Sequence, residues 1–510
     1  MIYNFKVFKE LVWVALISFS CTSNPSHPPQ KAQNPLSGIN QTNYDLKKLE
    51  EALDQLVKDP ILRHGTLGFS LKNAQTGALV LEHQPQQSLI VASCIKAVTT
   101  ATALGILGTE YTFETTLEYS GNIEKGILKG DIFIRGGGDP TLASQILKTD
   151  NLPTLLNQWV TVIKNKGIQQ IEGNIVADEE AYATDLTPAE WIWGDMGNYF
   201  GAPAGALNVL DNTYRLFIQP GKKIGDPTSI VRTEPNIPHI QFINTVKTAE
   251  AGSGDQALIS GAPYESLRYV TGTIPLGGVF SIKGSIPDPG LYLAQSLRAK
   301  LDQAGIQVIA KSTSTRLLKL AGERYASERQ TLTRQKSPSL KTIIDYTNRF
   351  SVNLYAEALL KAIGTQQKGE ASTQAGLEAV VEYWEKKGLN TEGLFLKDGS
   401  GLARANGITA NQLSQMMHLI TQENYFQDFY SSLPVAGVSG TMYSVGGGTA
   451  MQNNLRAKSG AMSRVLGYVG YFKTQSGTFM CFSVIVNNYT CQYPEIKKKL
   501  SDLMLEMVGI

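Results

Sequence analysis

The chain has 510 residues, with 46 lysines and arginines against 44 aspartates and glutamates, so its formal net charge is only +2. This near balance, together with the lack of a basic block in the sequence, gives no support to nucleic-acid binding. The length is enough for about two to four domains, and the hydrophobic content of 42% is typical of a soluble globular protein.

The first residues have the order of a secretory signal. Lys6 and Lys9 precede the apolar run LVWVALISF, which is too short to span a bilayer as a stable anchor. Cys21 follows this run and resembles the lipidated cysteine of bacterial lipoproteins. We therefore predict a signal peptide over 1–20, export to the periplasm, and contact with the membrane through lipidated Cys21 only. Plain secretion with cleavage nearby is the alternative.

The next segments pass from a polar tether to folded chain. Residues 21–43 are rich in Ser, Pro, Asn and Gln, cannot form a core, and are predicted to be a flexible tether. Leucines spaced three or four residues apart from Leu46 to Leu56 then predict an amphipathic helix. Residues 66–85 are predicted to form two strands joined near Gly77.

Ser93 and Lys96 are the first pair of candidate catalytic residues. The run after Ser93 is small and apolar with no proline, which predicts a buried helix with Ser93 in its first turn. Three residues along a helix place both side chains on one face. A serine hydroxyl needs a base to become a nucleophile, and Lys96 can be that base only when neutral. Burial and a nearby cation such as Lys458 would favour the neutral form.

Two alternatives exist for this segment. Ser93 could be an ordinary N-cap residue with a solvated lysine one turn on, although few polar residues mark a solvent face there. Cys94 could be the nucleophile, but a thiolate enzyme needs an electropositive partner, and the five histidines show no paired pattern. The same scatter of ligand residues predicts no metal site. Cys481 and Cys491 could form a disulfide in an exported protein, which the sequence leaves open.

About 250 residues separate this pair from the next motif, more than a compact catalytic core needs. An inserted domain over 146–332 accounts for the distance, because insertion is tolerated where chain ends lie close together. The catalytic domain would then consist of 44–145 and 333–510. Within the insertion, 213–268 is rich in Pro, Gly, Thr and Ile, which predicts a nested subdomain of short β elements.

Ser351 and Asn353 form the second motif, in a polar segment before a predicted helix. Ser351 is suited to relay a proton to a leaving group, and the Asn353 amide to hold a substrate carbonyl. A loop with a purely structural role is the alternative.

Lys458, Ser459 and Gly460 form the third motif, on a predicted strand that bends into another strand. On an edge strand, Lys458 and Ser459 can bind a carboxylate while the backbone extends along a peptide. An ordinary edge strand with a protective lysine is the alternative. A second hairpin with its turn near Gly477 and a final amphipathic helix follow. Both chain ends thus supply a hairpin and a helix, which predicts an α+β fold built on one antiparallel sheet.

The three motifs, in this order, have the layout of an acyl-serine active site with a lysine base. From about Tyr44 to its end, the chain resembles the low-molecular-mass type C penicillin-binding proteins, the D-alanyl-D-alanine carboxypeptidase/endopeptidases. Five further segments carry the resemblance: DIFIRGGGDPTL, WIWGDMGNYFGAPAGALNVLDN, IKGSIPDPG, KDGSGLARAN and LPVAGVSGTM. The chain departs from the family at Ser459, where threonine is commoner, and at Ser439, where the family usually has an acidic residue.

The resemblance implies the serine penicillin-recognising fold, a DD-peptidase/β-lactamase-like α+β core with an inserted domain and a nested β-rich domain. It implies that peptidoglycan stem peptides and β-lactam antibiotics acylate Ser93, and that no cofactor is needed. Asp195 in the insertion and Arg404 would contact the stem peptide, with structural roles as the alternative. A β-lactamase and a catalytically silent cell-wall-binding lipoprotein are the other functions left open.

Overall fold

The computed structural model describes residues 46–510, so the predicted signal peptide, Cys21 and the polar tether lie outside the described residues. The helices of this part are α1 Lys47–Lys58, α2 Ile95–Leu107, α3 Leu152–Asn165, α4 Trp193–Met196, α5 Pro289–Gln303, α6 Thr315–Leu320, α7 Leu340–Phe350, α8 Asn353–Lys368, α9 Thr373–Lys386, α10 Ala410–Ile420, α11 Phe426–Ser432 and α12 Tyr493–Val508.

The strands of the same part are β1 Thr66–Asn73, β2 Leu79–His83, β3 Ser88–Leu89, β4 Glu114–Tyr119, β5 Asn122–Glu124, β6 Ile127–Lys129, β7 Ile132–Arg135, β8 Gln170–Ile171, β9 Ile175–Asp178, β10 Thr213–Gln219, β11 Ser229–Glu234, β12 Gln241–Asn244, β13 Lys247–Ala249, β14 Gln256–Ser260, β15 Leu267–Pro275, β16 Phe280–Ser285, β17 Gln307–Val308, β18 Ser312–Ser314, β19 Gln330–Lys336, β20 Ile408–Thr409, β21 Arg456–Met462, β22 Val465–Lys473 and β23 Phe479–Asn487.

Strands from the two ends of the chain form one antiparallel sheet, in the order β2-β1-β23-β22-β21. The predicted hairpins are β1–β2 and β22–β23, and β1 pairs with β23 so that Phe69 lies opposite Val484. Strands β22 and β23 are buried along almost their whole length, because helices cover both faces of the sheet. The α+β fold class with an antiparallel sheet and packed helices is therefore confirmed. Strand β21 lies at the edge, as the position of Lys458 predicted.

Helices and sheet share one apolar core that holds α2, the helix after Ser93, in place. Helix α2 is hydrophobic on nearly all sides, and ten of its thirteen residues are buried. Helices α7 and α8 contact α2, while α10 packs on β1 and β23. The predicted amphipathic helix is α1, whose Leu49, Leu53 and Leu56 are buried and which packs on α12.

A second core lies in the long central region. A five-stranded sheet runs β18-β9-β7-β4-β19, and a four-stranded sheet runs β17-β8-β6-β5. Their apolar residues join those of α3 and α5 in one cluster that extends from Leu117 to Val308. Because β4, β6 and β7 pair with strands far along the chain, and β5 pairs with β6, this core begins near residue 114. The predicted insertion at 146–332 therefore leaves out four strands that belong to the second core.

The nested β elements form two small sheets. Strands β11-β10-β16 make a three-stranded sheet, and β12, β13 and β14 all pair with β15. The β-rich part thus continues to Ser285, beyond the predicted limit at 268, because β16 returns to pair with β10. The described residues form one compact unit, so independent domain boundaries stay predictions. Between residues 46 and 510, every helix is too short or too polar to cross a bilayer.

Candidate active site

Ser93 lies in a short 3-10 turn, Ala92–Cys94, that leads directly into α2. Two glycines let other backbone segments approach this turn closely. A Cβ atom at Gly460 on β21 would lie 2.2 Å from the Val91 carbonyl oxygen, and one at Gly401 would lie 1.9 Å from the Ala92 carbonyl oxygen. Side chains at these positions would push the segments apart. Glycine therefore permits β21 and the Gly401 loop to enclose the Ser93 turn.

Lys96 is completely buried, and its Nζ atom contacts three oxygens. These are Ser93 Oγ at 2.8 Å, Asn353 Oδ1 at 2.6 Å and the Ser400 carbonyl oxygen at 2.6 Å. Burial, reinforced by the positive charge of Lys458, holds the pKa of Lys96 well below its usual range. The buried Lys96 is thus favoured as a neutral amine.

The three partners of Lys96 fit the hydrogen-bonding capacity of a neutral amine. Such an amine has two N–H donors and one lone pair. The Asn353 and Ser400 oxygens belong to carbonyl groups, which can only accept. Lys96 therefore donates to both of them, and its lone pair is left for the Ser93 hydroxyl to donate to. This is the arrangement that a lysine base needs to remove the proton of Ser93.

The Ser400 carbonyl is held in place by Glu357, a residue that the sequence did not indicate. Glu357 lies on α8, one turn after Asn353, and is buried. Its carboxylate accepts hydrogen bonds from the Ser400 N–H at 2.8 Å and the Gly399 N–H at 3.1 Å. Burial first, and the negative charge of Asp398 second, raise the pKa of Glu357 to about 7. One face of α8 thus fixes both acceptors of Lys96.

Asp398 shapes the same loop and connects it to the central region. Its carboxylate accepts from the Gly401 N–H at 2.8 Å, the Ala403 N–H at 2.6 Å and Trp191 Nε1 at 2.9 Å. The loop carbonyl that contacts Lys96 is therefore positioned by two buried carboxylates. The segment KDGSGLARAN supported the family resemblance, but no pattern in it indicated a backbone acceptor.

Ser351 and Lys458 form a second pair beside the first. Lys458 Nζ donates to Ser351 Oγ at 3.0 Å and to the Ser459 carbonyl oxygen at 2.8 Å. Ser351 has a left-handed backbone, with φ of 56°, at the junction of α7 and α8. Burial lowers the pKa of Lys458 to about 8. At neutral pH this ammonium group can therefore give up a proton at modest cost.

Strand β21 forms one wall of the cleft. Its inner edge pairs with β22, with Lys458 opposite Val469. Within the described sheet no strand covers the outer edge beyond a single bridge between Arg456 and Val435. Ser459 Oγ donates to Thr441 Oγ1 at 2.8 Å, a neighbour that the sequence did not indicate. The open edge offers backbone groups to an extended peptide.

Asp195 and Arg404 are close enough to interact electrostatically, but they do not form an ion pair. Asp195, on α4, is half-buried, and Arg404 is exposed. Burial raises the pKa of Asp195, and the positive charge of Arg404 partly offsets that rise. Asn353 Nδ2 donates to the Phe200 carbonyl oxygen at 2.7 Å, which brings the segment after Asp195 against α8.

The three cysteines between residues 46 and 510 are unpaired. Cys94 is buried, and burial raises the pKa of its thiol to about 12, so the thiolate needed for nucleophilic attack does not form at neutral pH. Cys481 and Cys491 are both free thiols in this structure, so they do not form the disulfide that the sequence left open. Among residues 46–510, no cluster of His, Cys, Asp and Glu side chains is arranged to hold a metal ion.

Comparisons with known proteins agree with this geometry. The family described as D-Ala-D-Ala carboxypeptidase 3 (S13) matches residues 49–507. The D-alanyl-D-alanine carboxypeptidase DacB of Haemophilus influenzae is 26% identical over 450 residues, covering 86% of this chain and 88% of that protein. The D-alanyl-D-alanine carboxypeptidase of Actinomadura sp. is 26% identical over 462 residues, covering 88% of this chain and 82% of that protein.

A solved structure shows the same fold. The crystal structure of penicillin binding protein 4 (dacB) from Haemophilus influenzae superimposes with a TM-score of 0.75 at 22% identity, covering 92% of this chain and all of that one. The same protein complexed with a β-lactam gives a TM-score of 0.71 at 22% identity, covering 90% of this chain and 98% of that one.

Proposed function

The chain belongs to the D-Ala-D-Ala carboxypeptidase 3 (S13) family, and from this membership and the geometry of the cleft we propose that it hydrolyses D-alanyl-D-alanine bonds in peptidoglycan stem peptides. The family that the sequence resembled is thereby confirmed. The observation that carries the mechanism is the 2.8 Å contact of Lys96 Nζ with Ser93 Oγ, in a buried site that lowers the pKa of Lys96 and so favours its neutral form.

Acylation begins at Ser93. Its Oγ attacks the carbonyl carbon between the two D-alanines while its proton passes to the lone pair of Lys96. The carbonyl oxygen becomes an oxyanion, which the N–H group of Ser93 and one N–H group of β21 stabilise. The close approach of Gly460 to the Ser93 turn brings these two backbone segments together. The C–N bond then breaks, leaving an ester on Ser93.

The leaving amine needs a proton. Ser351 Oγ donates it and is reprotonated by Lys458, whose Nζ lies 3.0 Å away. A lysine with a pKa of about 8 is a better proton donor than an ordinary lysine. Water then hydrolyses the ester and releases the shortened stem peptide. When the leaving amine belongs to another stem peptide, the same steps cut a cross-link.

Substrate binding uses residues of β21 and the amide of Asn353. The terminal carboxylate binds near Lys458 and the Ser459 hydroxyl, while the peptide extends along the open edge of β21. One hydrogen of the Asn353 amide is used by the Phe200 carbonyl, which leaves the other for a substrate carbonyl. Asp195 and Arg404 contact the stem peptide further from the scissile bond. β-Lactam antibiotics acylate Ser93 by the same route.

Release of D-alanine from a soluble pentapeptide ending in D-Ala-D-Ala tests this proposal. Wild-type protein should release D-alanine, and a peptide ending in D-Ala-L-Ala should be a much poorer substrate. Ser93→Ala should abolish release while leaving the fold intact. Undiminished release by folded Ser93→Ala protein would contradict the proposal. A catalytically silent wall-binding protein would release none.

We also propose that the protein is exported and anchored through lipidated Cys21. The basis is the order of Lys6, Lys9, an apolar run and Cys21, followed by a polar tether. Cys21→Ser should move the protein from the membrane fraction to the soluble fraction. A wild-type protein that is already soluble, with a mature N-terminus away from Cys21, would instead indicate plain secretion.

A further inference from the structure

One face of the small sheet formed by β12, β13, β14 and β15 is open to solvent, and its exposed side chains on β12, β14 and β15 are uncharged. The exposed side chains of these three strands are those of Gln241, Ile243, Gln256, Leu258, Tyr269 and Thr271. Ile243 lies beside Tyr269 and Leu258 beside Thr271, so they share one face. Ile243 is 44% exposed, Leu258 48% and Tyr269 39%. Lys247 on β13 marks one end of this surface.

Trp193 of α4 extends this face beyond the sheet. Its side chain is 51% exposed, and its ring lies 6.1 Å from that of Tyr269 in an edge arrangement. Exposed large aromatic residues that cluster on a soluble protein mark interaction surfaces more often than scattered ones do. We call Trp193 and the six exposed residues of β12, β14 and β15 the neutral face.

The sheet that carries the neutral face is joined to the active site through the segment 197–200. Asn198 Oδ1 accepts from the Ile259 N–H of β14 at 2.9 Å, and a Cβ atom at Gly197 would lie 2.3 Å from the Ile259 carbonyl oxygen. Two residues later, the Phe200 carbonyl accepts from Asn353, which itself contacts Lys96. The sheet is therefore fixed to the segment that borders the catalytic lysine.

The chemistry of the neutral face suits a sugar polymer. Aromatic rings stack against the C–H faces of sugar rings, while amide and hydroxyl groups bind sugar hydroxyls and N-acetyl groups. Lys247 lies at the end of the face, but a polyanion or an anionic lipid surface is bound by a cluster of basic residues, and the strands of the face carry none. A stem peptide is attached to a glycan strand, and four extended residues span at most about 14 Å. The glycan therefore lies one short peptide length from the bond being cut.

We propose that the neutral face binds the glycan strand of polymeric peptidoglycan and so positions attached stem peptides at Ser93. This inference rests on the proposed function. The proposal predicts different requirements for two substrates. Cleavage of a small peptide needs the cleft alone, whereas cleavage within the polymer also uses Trp193 and Tyr269.

The test compares binding and cleavage with insoluble sacculi and with a soluble pentapeptide. In the Trp193→Ala/Tyr269→Ala variant, binding to sacculi and release of D-alanine from them should fall about tenfold. Hydrolysis of the pentapeptide and labelling by penicillin should stay unchanged, which also shows that the variant is folded. Tyr493→Ala is the matched control, because Tyr493 is 45% exposed at the start of α12.

Glycan strands stripped of their peptides by an amidase identify the ligand. They should compete with sacculi for the wild-type protein and not affect the residual binding of the double variant. Unchanged sacculus binding in the double variant, or failure of the stripped strands to compete, would overturn the proposal. If the double variant does not fold, Trp193→Ala alone is scored in the same way. If the wild-type protein does not cleave the pentapeptide, the proposed function is refuted. That outcome is distinct from failure of the glycan proposal, which is judged from sacculus binding.

Discussion

Glu357→Gln removes the buried carboxylate that holds the Ser400 loop, and it should change how stability depends on pH. The pKa of Glu357 rises from 4.5 to about 7 on folding, chiefly through burial. Because the folded-state pKa is the higher one, the unfolded chain ionises first as the pH increases. The stability linked to this group is therefore complete below about pH 4.5 and is lost as the pH rises through about 7.

The size of this effect follows from the pKa change. At about 1.4 kcal/mol for each pKa unit, a rise from 4.5 to about 7 corresponds to roughly 3 kcal/mol of unfolding free energy. Glutamine does not titrate. The advantage of the wild type over Glu357→Gln, measured as unfolding free energy, should thus shrink by about 3 kcal/mol between about pH 4.5 and pH 8.

Urea unfolding followed by tryptophan fluorescence at several pH values measures this difference. Glu51→Gln is the control, because Glu51 is exposed on α1. Its unfolding free energy should stay parallel to that of the wild type. If the unfolding free energy of Glu357→Gln also stays parallel to that of the wild type across this pH range, Glu357 does not have a raised pKa in the folded protein.

Three further substitutions test the chemistry of the cleft. Lys96→Arg replaces the amine with a permanently charged guanidinium that cannot act as a base near neutral pH. Labelling by fluorescent penicillin should therefore fall about a hundred- to ten-thousand-fold, and near-normal labelling would exclude the lysine base. Lys458→Gln removes the cation that lowers the pKa of Lys96, so the acidic limb of the acylation pH profile should move to higher pH; an unmoved limb would restrict Lys458 to carboxylate binding. Gly460→Ala places a Cβ atom 2.2 Å from the Val91 carbonyl oxygen and should slow acylation at least about tenfold in stopped-flow measurements. Gly278→Ala is the control, because a Cβ atom there has no atom within 4 Å, and its acylation rate should not change. Equal acylation rates in the two variants would show that the close approach of β21 is unimportant.

Local sequence signals were sufficient for the catalytic half of the fold. The hairpins around Gly77 and Gly477 and the helix after Ser93 each have a clear period or turn residue, so they could be predicted without tertiary information. The extent of the second core could not be predicted, because β4–β7 are short and their later partners β8, β9 and β19 lie far along the chain. Nothing local distinguishes such strands from those of the catalytic domain.

Some residues of the candidate site could likewise be predicted from local sequence, and others could not. Ser93, Lys96, Ser351 and Lys458 occur in short motifs whose order carries information, and the structure brings their side chains together. Glu357 was not indicated because a glutamate within a helix is usually solvent-exposed, and only the packing of the Ser400 loop buries it. The acceptor that Ser400 provides is a backbone carbonyl, which no side-chain pattern can reveal.

Mass spectrometry after exposure to benzylpenicillin tests the central claim most directly. The acyl-serine mechanism predicts one covalent adduct per chain, located on Ser93, and no adduct in folded Ser93→Ala protein. Fragmentation of the tryptic peptide distinguishes Ser93 from the adjacent Cys94. An adduct on Cys94, or one that persists in Ser93→Ala, would contradict the assignment of Ser93 as the nucleophile.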